Sequence, residues 1–402
     1  MQKKVSEVEV LYLSLDGIME PLGHSQVFKY LEGLSKSYKV NLVTFEKTSA
    51  LSNSELLEQV KAQCKERKIN WHRLTYSSGL MGLGLVINII KILSVPLHLM
   101  IKKKILLIHI RSYMPGLIIP LLSIFFNFKF IFDIRGFWAD EKADRSNWNR
   151  GSLKYKFFKS LERYLIQRAD CVVTLTKDSQ TIIAKNFVKD ISSINVIPTC
   201  VDWEEFQNFT TPVKNLEKIR IGYLGSIDTA YDFQKFTQII QQIQHYYHGK
   251  IELKVFTSYP PHDVIKILSM QEIKNIDVDI RFLERANIPN EISQCSFVGF
   301  CLKENFSIAA SMPTKIAETL ACGVPIVCNA FNTDVEDLIR KNNIGLIHNF
   351  DEALQPMHFL QLQELLRDLN TAERCSNAAK KYFSLDWGVT EYKKIYSMLL
   401  EQ

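Results

Sequence analysis

Short apolar runs alternate with helix-forming stretches along this chain, and the alternation starts afresh once, at Ile219. Strands separated by helices demand a parallel sheet, because a parallel neighbour is reached only through a crossover long enough to hold a helix. Such strands are covered on both faces and read as near-continuous apolar segments. Residues 8–14, 40–45, 105–110, 128–134, 171–175 and 193–197 fit that description, with helices over 27–37 and 153–169. Residues 208–218 are polar, with Thr210, Thr211 and Pro212, and read as a linker. Strands at 219–224, 253–257, 278–282, 297–302 and 326–328 follow, with a helix over 233–247. The expected class is α/β, with two Rossmann-like, doubly wound parallel-sheet domains, 1–207 and 219–384, and a closing helix over 385–402. In such sheets ligands bind outside the carboxyl ends of the strands, so two facing sheets put a site in the cleft between them.

Bulk properties bound the function. A length of 402 residues suits two domains, and 47% hydrophobic with 23% charged residues excludes disorder. Net charge is only +6, but it is uneven: between Glu66 and Asp133 there are nine basic residues and no acidic one. That gap holds the strongly apolar stretches 80–99 and 105–132. Lys91, Pro96 and His98 interrupt the first, so neither half is the ~20-residue clean span that a transmembrane helix needs. Residues 80–104 are expected to lie on an anionic membrane surface, although a buried helix fits the same pattern. The start, MQKKVSEVEV, is charged and unlike a signal peptide. Eight cysteines show no CxxC pair, and Cys171, Cys301 and Cys328 sit in apolar runs. A reducing, cytoplasmic chain with no metal site and no nucleic-acid partner is expected. Neither first strand is followed by GxGxxG, which counts against a nicotinamide enzyme.

The segment 311–329, SMPTKIAETLACGVPIVCN, is the most specific local signal. Pro313 suits a helix start, Gly323 a helix stop, and Pro325 blocks continuation into the strand Ile326–Cys328. Lys315 and Glu318 lie three apart and share a helix face. A cation and a carboxylate at a helix N-terminus suit a ligand with a diphosphate and a ribose diol; a solvent-facing ion pair is the plainer alternative.

The segment resembles the nucleotide-sugar signature of glycosyltransferase family 4, whose members have the GT-B fold. Glu318, Ala321, Gly323, Pro325, Ile326 and Val327 match its second half. Ala310 stands where the first signature Glu is usual, and Ser311, Pro313 and Lys315 resemble a Ser-Pro-x-Lys branch. The resemblance implies that Glu318 holds the nucleotide ribose and Lys315 neutralises the diphosphate. It also implies that the last helix crosses back onto the first domain.

Three other clusters extend it. The loop Asp16-Gly17 to Gly23-His24-Ser25-Gln26 follows the first strand. It is an ordinary βα loop or, by resemblance to a polysaccharide-linked branch, the acceptor-side glycine loop. A second cluster, Asp133, Arg135, Gly136, Trp138, Asp140 and Glu141, ends a buried strand, with His109 at the end of its neighbour. These read as cleft groups contacting the acceptor, Asp133 and Arg135 taking catalytic parts beside Lys315, or as a structural salt bridge and core aromatics. Arg135 stands where many members of the family have His. Gly225 and Ser226 open the second domain where the family's strand passes the donor diphosphate. Ser226 and Asp232 replace the usual basic pair, with Lys303, Arg285, Ser311 and Thr314 placed to assist Lys315.

The resemblance thus implies a retaining transferase that needs no metal or cofactor. It would move a sugar from a UDP- or GDP-linked donor to a lipid-linked glycan acceptor in capsule, O-antigen or exopolysaccharide synthesis. It would sit peripherally on the inner face of a bacterial cytoplasmic membrane. A nucleotide-sugar 2-epimerase on the same fold, or a degenerate transferase acting as a membrane scaffold, are the alternatives.

Overall fold

The computed structural model describes residues 8–77, 83–207, 209, 218–247, 250–271, 273 and 276–401. The chain divides into two compact units, Met1–Pro198 with Leu385–Gln402, and Thr199–Ser384.

The first unit holds β1 (Glu9–Ser14), β2 (Lys39–Glu46), β3 (Ile69–Thr75), β4 (Ile105–Arg111), β5 (Lys129–Asp133), β6 (Cys171–Thr174) and β7 (Ile194–Val196). They form one sheet in the order β3-β2-β1-β4-β5-β6-β7, every pair parallel. Helices cover both faces, so the central strands are largely apolar; Leu107, Ile108 and Ile110 of β4 are fully buried. The winding reverses between β1 and β4, and the register sets Ser14 beside Arg111 and Arg111 beside Asp133. Polar strand ends therefore gather at the switch point, where ligands of doubly wound sheets bind. The helix Leu385–Leu400 packs on the helix Lys29–Ser35 and on β4 of this unit.

The second unit holds β8 (Lys218–Leu224), β9 (Lys250–Phe256), β10 (Asp277–Arg281), β11 (Phe297–Phe300), β12 (Ile326–Cys328) and β13 (Gly345–Ile347). Their order is β10-β9-β8-β11-β12-β13, again all parallel, with the switch point between β8 and β11.

The structure adds two strands that the sequence reading lacks. Both are edges: β3 has only Ile69 buried, and β13 is three residues long. The expected linker lies mostly outside the described residues, as do residues 80–82 of the apolar stretch. The rest of that stretch is the helix Leu83–Lys102, with Pro96 inside it. Among the described residues, no helix is long and apolar enough to cross a membrane. All eight cysteines are free and buried.

Candidate functional site

In the second unit the chain after Leu224 must turn sharply to clear the sheet, and Gly225 does so at φ +113°, a conformation L side chains rarely adopt. A Cβ at this position would sit 3.1 Å from Lys315 Nζ. The helix Thr314–Ala321 starts after Pro313, whose fixed φ suits that boundary, and no side chain caps its first N–H groups. It delivers Lys315 to the switch point. The ammonium donates to the Leu224 carbonyl and lies 3.6 Å from the centre of the Tyr231 ring and 5.1 Å from that of Phe300. Lys315 is 7% exposed. Burial lowers its pKa to about 7, against the opposing pull of Glu318.

Glu318, also buried, pairs with Arg285 at 3.3 Å. Burial raises its pKa, and the Arg285 charge and hydrogen bond moderate the rise. The solvent-facing ion pair is thus not what forms: both side chains turn inward, and Glu318 takes Arg285 as its partner. Lys303 Nζ donates to Asp228 O at 2.6 Å, and Ser226 Oγ meets Thr229 Oγ1, so both serve the loop after Gly225. Ser311 and Thr314 are half-buried at the helix approach, and the Ser311 carbonyl accepts from Asn332 Nδ2 at 2.8 Å. Tyr231 and Asn329 escaped the sequence reading. Asn329 bonds both the N–H and the carbonyl of Leu302 at 2.9 Å, bracing the strand end beside Tyr231. A side-chain amide after a buried strand was the available signal.

In the first unit the strand ends converge on Asp133. Its carboxylate accepts from Arg135 Nε at 2.9 and 3.0 Å and from Tyr392 Oη at 3.0 Å. His109 Nε2 and Arg111 Nη1 lie 3.6 Å away. Arg135 Nη2 donates to Tyr392 Oη at 3.0 Å, His109 Nδ1 meets Tyr396 Oη at 2.8 Å, and Arg111 Nε reaches Asp16 Oδ2 at 3.2 Å. Burial opposes ionisation of Asp133, but the Arg135 charge, the His109 contact and the Arg111 charge outweigh it and hold the carboxyl far below its ordinary value. Burial lowers the pKa of His109, against the pull of Asp133. Arg111 lies at the strand end that the sequence already marks beside His109, whereas Tyr392 and Tyr396 were missed because they lie more than 250 residues along the chain from their partners.

The glycine loop of this unit is more than an irregular turn. His24–Phe28 forms a single π-helical turn leading into the helix Lys29–Ser35, a rare form that often marks functional sites. Ser25 and Gln26 are buried within it, and His24 stacks on Phe28 at 5.0 Å. Buried Glu46 accepts from the Ile18 and Met19 N–H groups and from Thr44 Oγ1, fixing the approach. A Cβ on Gly23 would lie 1.9 Å from the Gly17 carbonyl oxygen. Gly23→Ala should therefore destabilise this unit by about 1–3 kcal/mol in denaturant unfolding; a neutral result would show that the turn relaxes freely.

Three residues expected near an acceptor have structural partners. Both Asp140 oxygens are engaged, by Tyr155 Oη at 2.7 Å and Lys159 Nζ at 2.8 Å. Trp138 packs among Tyr113, Trp148 and Phe158. Glu141 is half-buried against the backbone of Gly136. Tyr113 Oη ties Gly136 O at 2.9 Å to the buried Glu162 at 2.7 Å, which braces the turn carrying Arg135.

The sequence matches no protein-family model. No curated protein matches it either. Solved structures do match in fold. Sucrose-phosphate synthase from Thermosynechococcus elongatus is similar over 98% of this chain and 99% of its own, at TM-score 0.70 and 12% identity. HepE from Anabaena, solved in complex with UDP and glucose, is similar over 97% and 99%, at TM-score 0.65 and 13% identity. The lipopolysaccharide outer core galactosyltransferase WaaB, in apo form, is similar over 97% and 100%, at TM-score 0.63 and 11% identity. With its two doubly wound parallel sheets carried on one polypeptide, the chain has the GT-B fold.

Proposed function

We propose that this chain is a glycosyltransferase of family 4 that moves a sugar from a nucleotide-diphosphate donor, UDP- or GDP-linked, with retention of anomeric configuration. The observation that carries the reading is Lys315, a buried ammonium at the switch point of the second sheet, on an uncapped helix start and against the Gly225 turn. Its direct contacts there are a carbonyl and aromatic rings, and the nearby Glu318 carboxylate is paired with Arg285, so the cation is only partly compensated. A diphosphate completes the compensation. HepE, with UDP and glucose bound, and WaaB have the same fold and support the choice of donor and reaction.

On this reading Lys315 and the helix N–H groups stabilise negative charge as the nucleotide diphosphate departs from the anomeric carbon. Preorganised charge of this kind is worth about 3–4 kcal/mol per donor. Glu318, oriented by Arg285, takes the ribose hydroxyls. Protein groups supply the positive charge, so the proposed reaction uses no metal. In the first unit, Gly23 to Gln26, Asp16 and Arg135 contact a lipid-linked glycan of a bacterial surface polysaccharide, with buried Asp133 and His109 behind Arg135. The protein then works peripherally on the inner face of the cytoplasmic membrane.

Calorimetric titration with UDP, GDP, ADP and CMP tests the donor site. One diphosphate is expected to bind at micromolar affinity, and Glu318→Ala is expected to weaken it by about tenfold or more, the loss of a charged hydrogen bond. An unchanged dissociation constant would remove Glu318 from the ribose, and no binding by any nucleotide would favour the scaffold reading.

A further inference from the structure

Two helices of the first unit share an outer surface. Chain connections from β3 to β4 and from β4 to β5 advance in the same direction along the sheet, so right-handed crossovers put both on one face. They carry the helices Leu83–Lys102 and Ile119–Phe125, joined through the turn Met114–Ile118, which both contact. Each carries apolar side chains on its exposed side as well as its buried one. On the first, Asn88, Ile92 and Leu99 are buried, while Val86, Ile90 and Ile101 are 52%, 60% and 70% exposed. On the second, Leu122 is buried, while Ile124 and Phe125 are 70% and 68% exposed. Ser94 and His98 are exposed between Ile90 and Ile101, so the apolar exposure is clustered. The clusters are Val86, Ile87 and Ile90 on the first helix and Leu121, Ile124 and Phe125 on the second. Single exposed apolar residues are ordinary, but such clusters mark an interaction surface.

Charge identifies the partner. No acidic residue occurs between Glu66 and Asp133, and Lys102 and Lys104 are exposed where the first helix ends. Beside the second helix lies a cavity of about 220 Å³ lined in part by Ser123, Asn127, Tyr164 and Arg168. Asp170, also on its wall, is held by the Phe130 N–H at 2.9 Å and by Lys129 at 3.1 Å. Arg168 makes no ion pair among the described residues and leaves its guanidinium for an incoming anion. Apolar side chains fringed by lysine and arginine, next to a polar cavity of headgroup size, match the interface of an anionic bilayer.

We infer that the outer face of these two helices docks on a bilayer containing anionic phospholipid, with Ile124 and Phe125 among the acyl chains and a headgroup phosphate at Arg168. This deepens the membrane-borne acceptor of the proposed function and rests on that part of it. Both helices belong to one face of the sheet and both contact the turn Met114–Ile118, so the surface extends beyond the 80–104 stretch.

The test is co-sedimentation of the full chain with vesicles of phosphatidylcholine, with and without phosphatidylglycerol. Binding is expected only with phosphatidylglycerol. Ile124→Asp with Phe125→Asp should abolish it, as should Val86→Asp with Ile90→Asp on the other helix; all four sites are exposed, so the fold is kept. Arg168→Ala should weaken binding about fivefold, the worth of one basic residue near an anionic surface. Equal binding to both vesicle types, no binding to either, or retention by the aspartate variants would overturn the inference. So would release by soluble glycerol phosphate, which would mark a small-anion site. The assay contains no nucleotide, so failure of the donor reading leaves its result standing, and UDP titration of the aspartate variants shows the converse.

Discussion

Replacing Lys315 with methionine is expected to slow turnover severely and, at neutral pH, to make the second unit more stable. Removing one preorganised charge from a departing diphosphate should lower kcat by about 10²–10³-fold. The stability gain follows from the burial of the amine. Lys315 is buried with a pKa lowered to about 7 by desolvation. Keeping a buried cation there, or giving up its proton on folding, costs on the order of 4 kcal/mol at neutral pH. The hydrogen bond to Leu224 returns only about 1 kcal/mol, and methionine fills a similar volume. The sign with pH is fixed. Between about 7 and the ordinary lysine value the unfolded chain binds more protons than the native one, so wild-type stability rises with pH across that window. The advantage of Lys315→Met should therefore be largest at pH 7 and below and should vanish towards pH 10. A bound diphosphate recharges the amine, so donor affinity should fall as pH rises above 7, with proton uptake visible as buffer-dependent heat. Thermal unfolding and titration calorimetry across pH check both. Equal stability of the two proteins at pH 7 would mean a solvated ammonium, and unchanged donor affinity would remove Lys315 from the diphosphate.

What was legible in the sequence was local. The Lys315–Glu318 helix, its glycine stop and the following strand lie within one short segment, and the strand-end Asp133 and Arg135 are two residues apart. Buried parallel strands announce themselves as apolar runs, which is why nearly all were found. The edge strand Ile69–Thr75 was not, because one face and one side of it meet solvent and its sequence has no such run. The π-helical turn at His24 also gives no local signal: Gly23 is needed for close approach to Gly17, a contact between backbones that residue type alone does not reveal. The tyrosine partners of Asp133 and His109 were invisible for a further reason. Tyr392 and Tyr396 sit on a helix that joins the first unit only after the chain has built the second. No pattern within a window of the sequence links them to β5.

That long-range junction makes Asp133 the residue whose loss should most damage the first unit. Asp133→Ala leaves Arg135 and Arg111 buried beside each other without their shared carboxylate and removes the acceptor for Tyr392. Breaking a buried pair by deleting one partner costs about 3–5 kcal/mol, because the charges left behind are uncompensated. Arg135 is stranded, while Arg111 keeps Asp16 at 3.2 Å, so the middle of that range is expected. Tyr392→Phe removes a single hydroxyl and should cost about 1–2 kcal/mol. Loss of Asp133 should also spread to the helix Leu385–Leu400, which meets the strand ends through Tyr392 and Tyr396. Hydrogen exchange of that helix should rise more than exchange within β5, since the helix is the part free to lift away. The pH dependence carries a matching signature. The native Asp133 carboxyl is held far below its ordinary value, so its stabilisation is fully present above the unfolded pKa of about 3.9 and is lost as pH falls through the native one. Wild-type stability should accordingly decline below pH 4 more steeply than that of Asp133→Ala. Parallel acid limbs for the two proteins, or unaltered exchange in the C-terminal helix, would show that the arginines find solvent and that the cluster holds nothing in place.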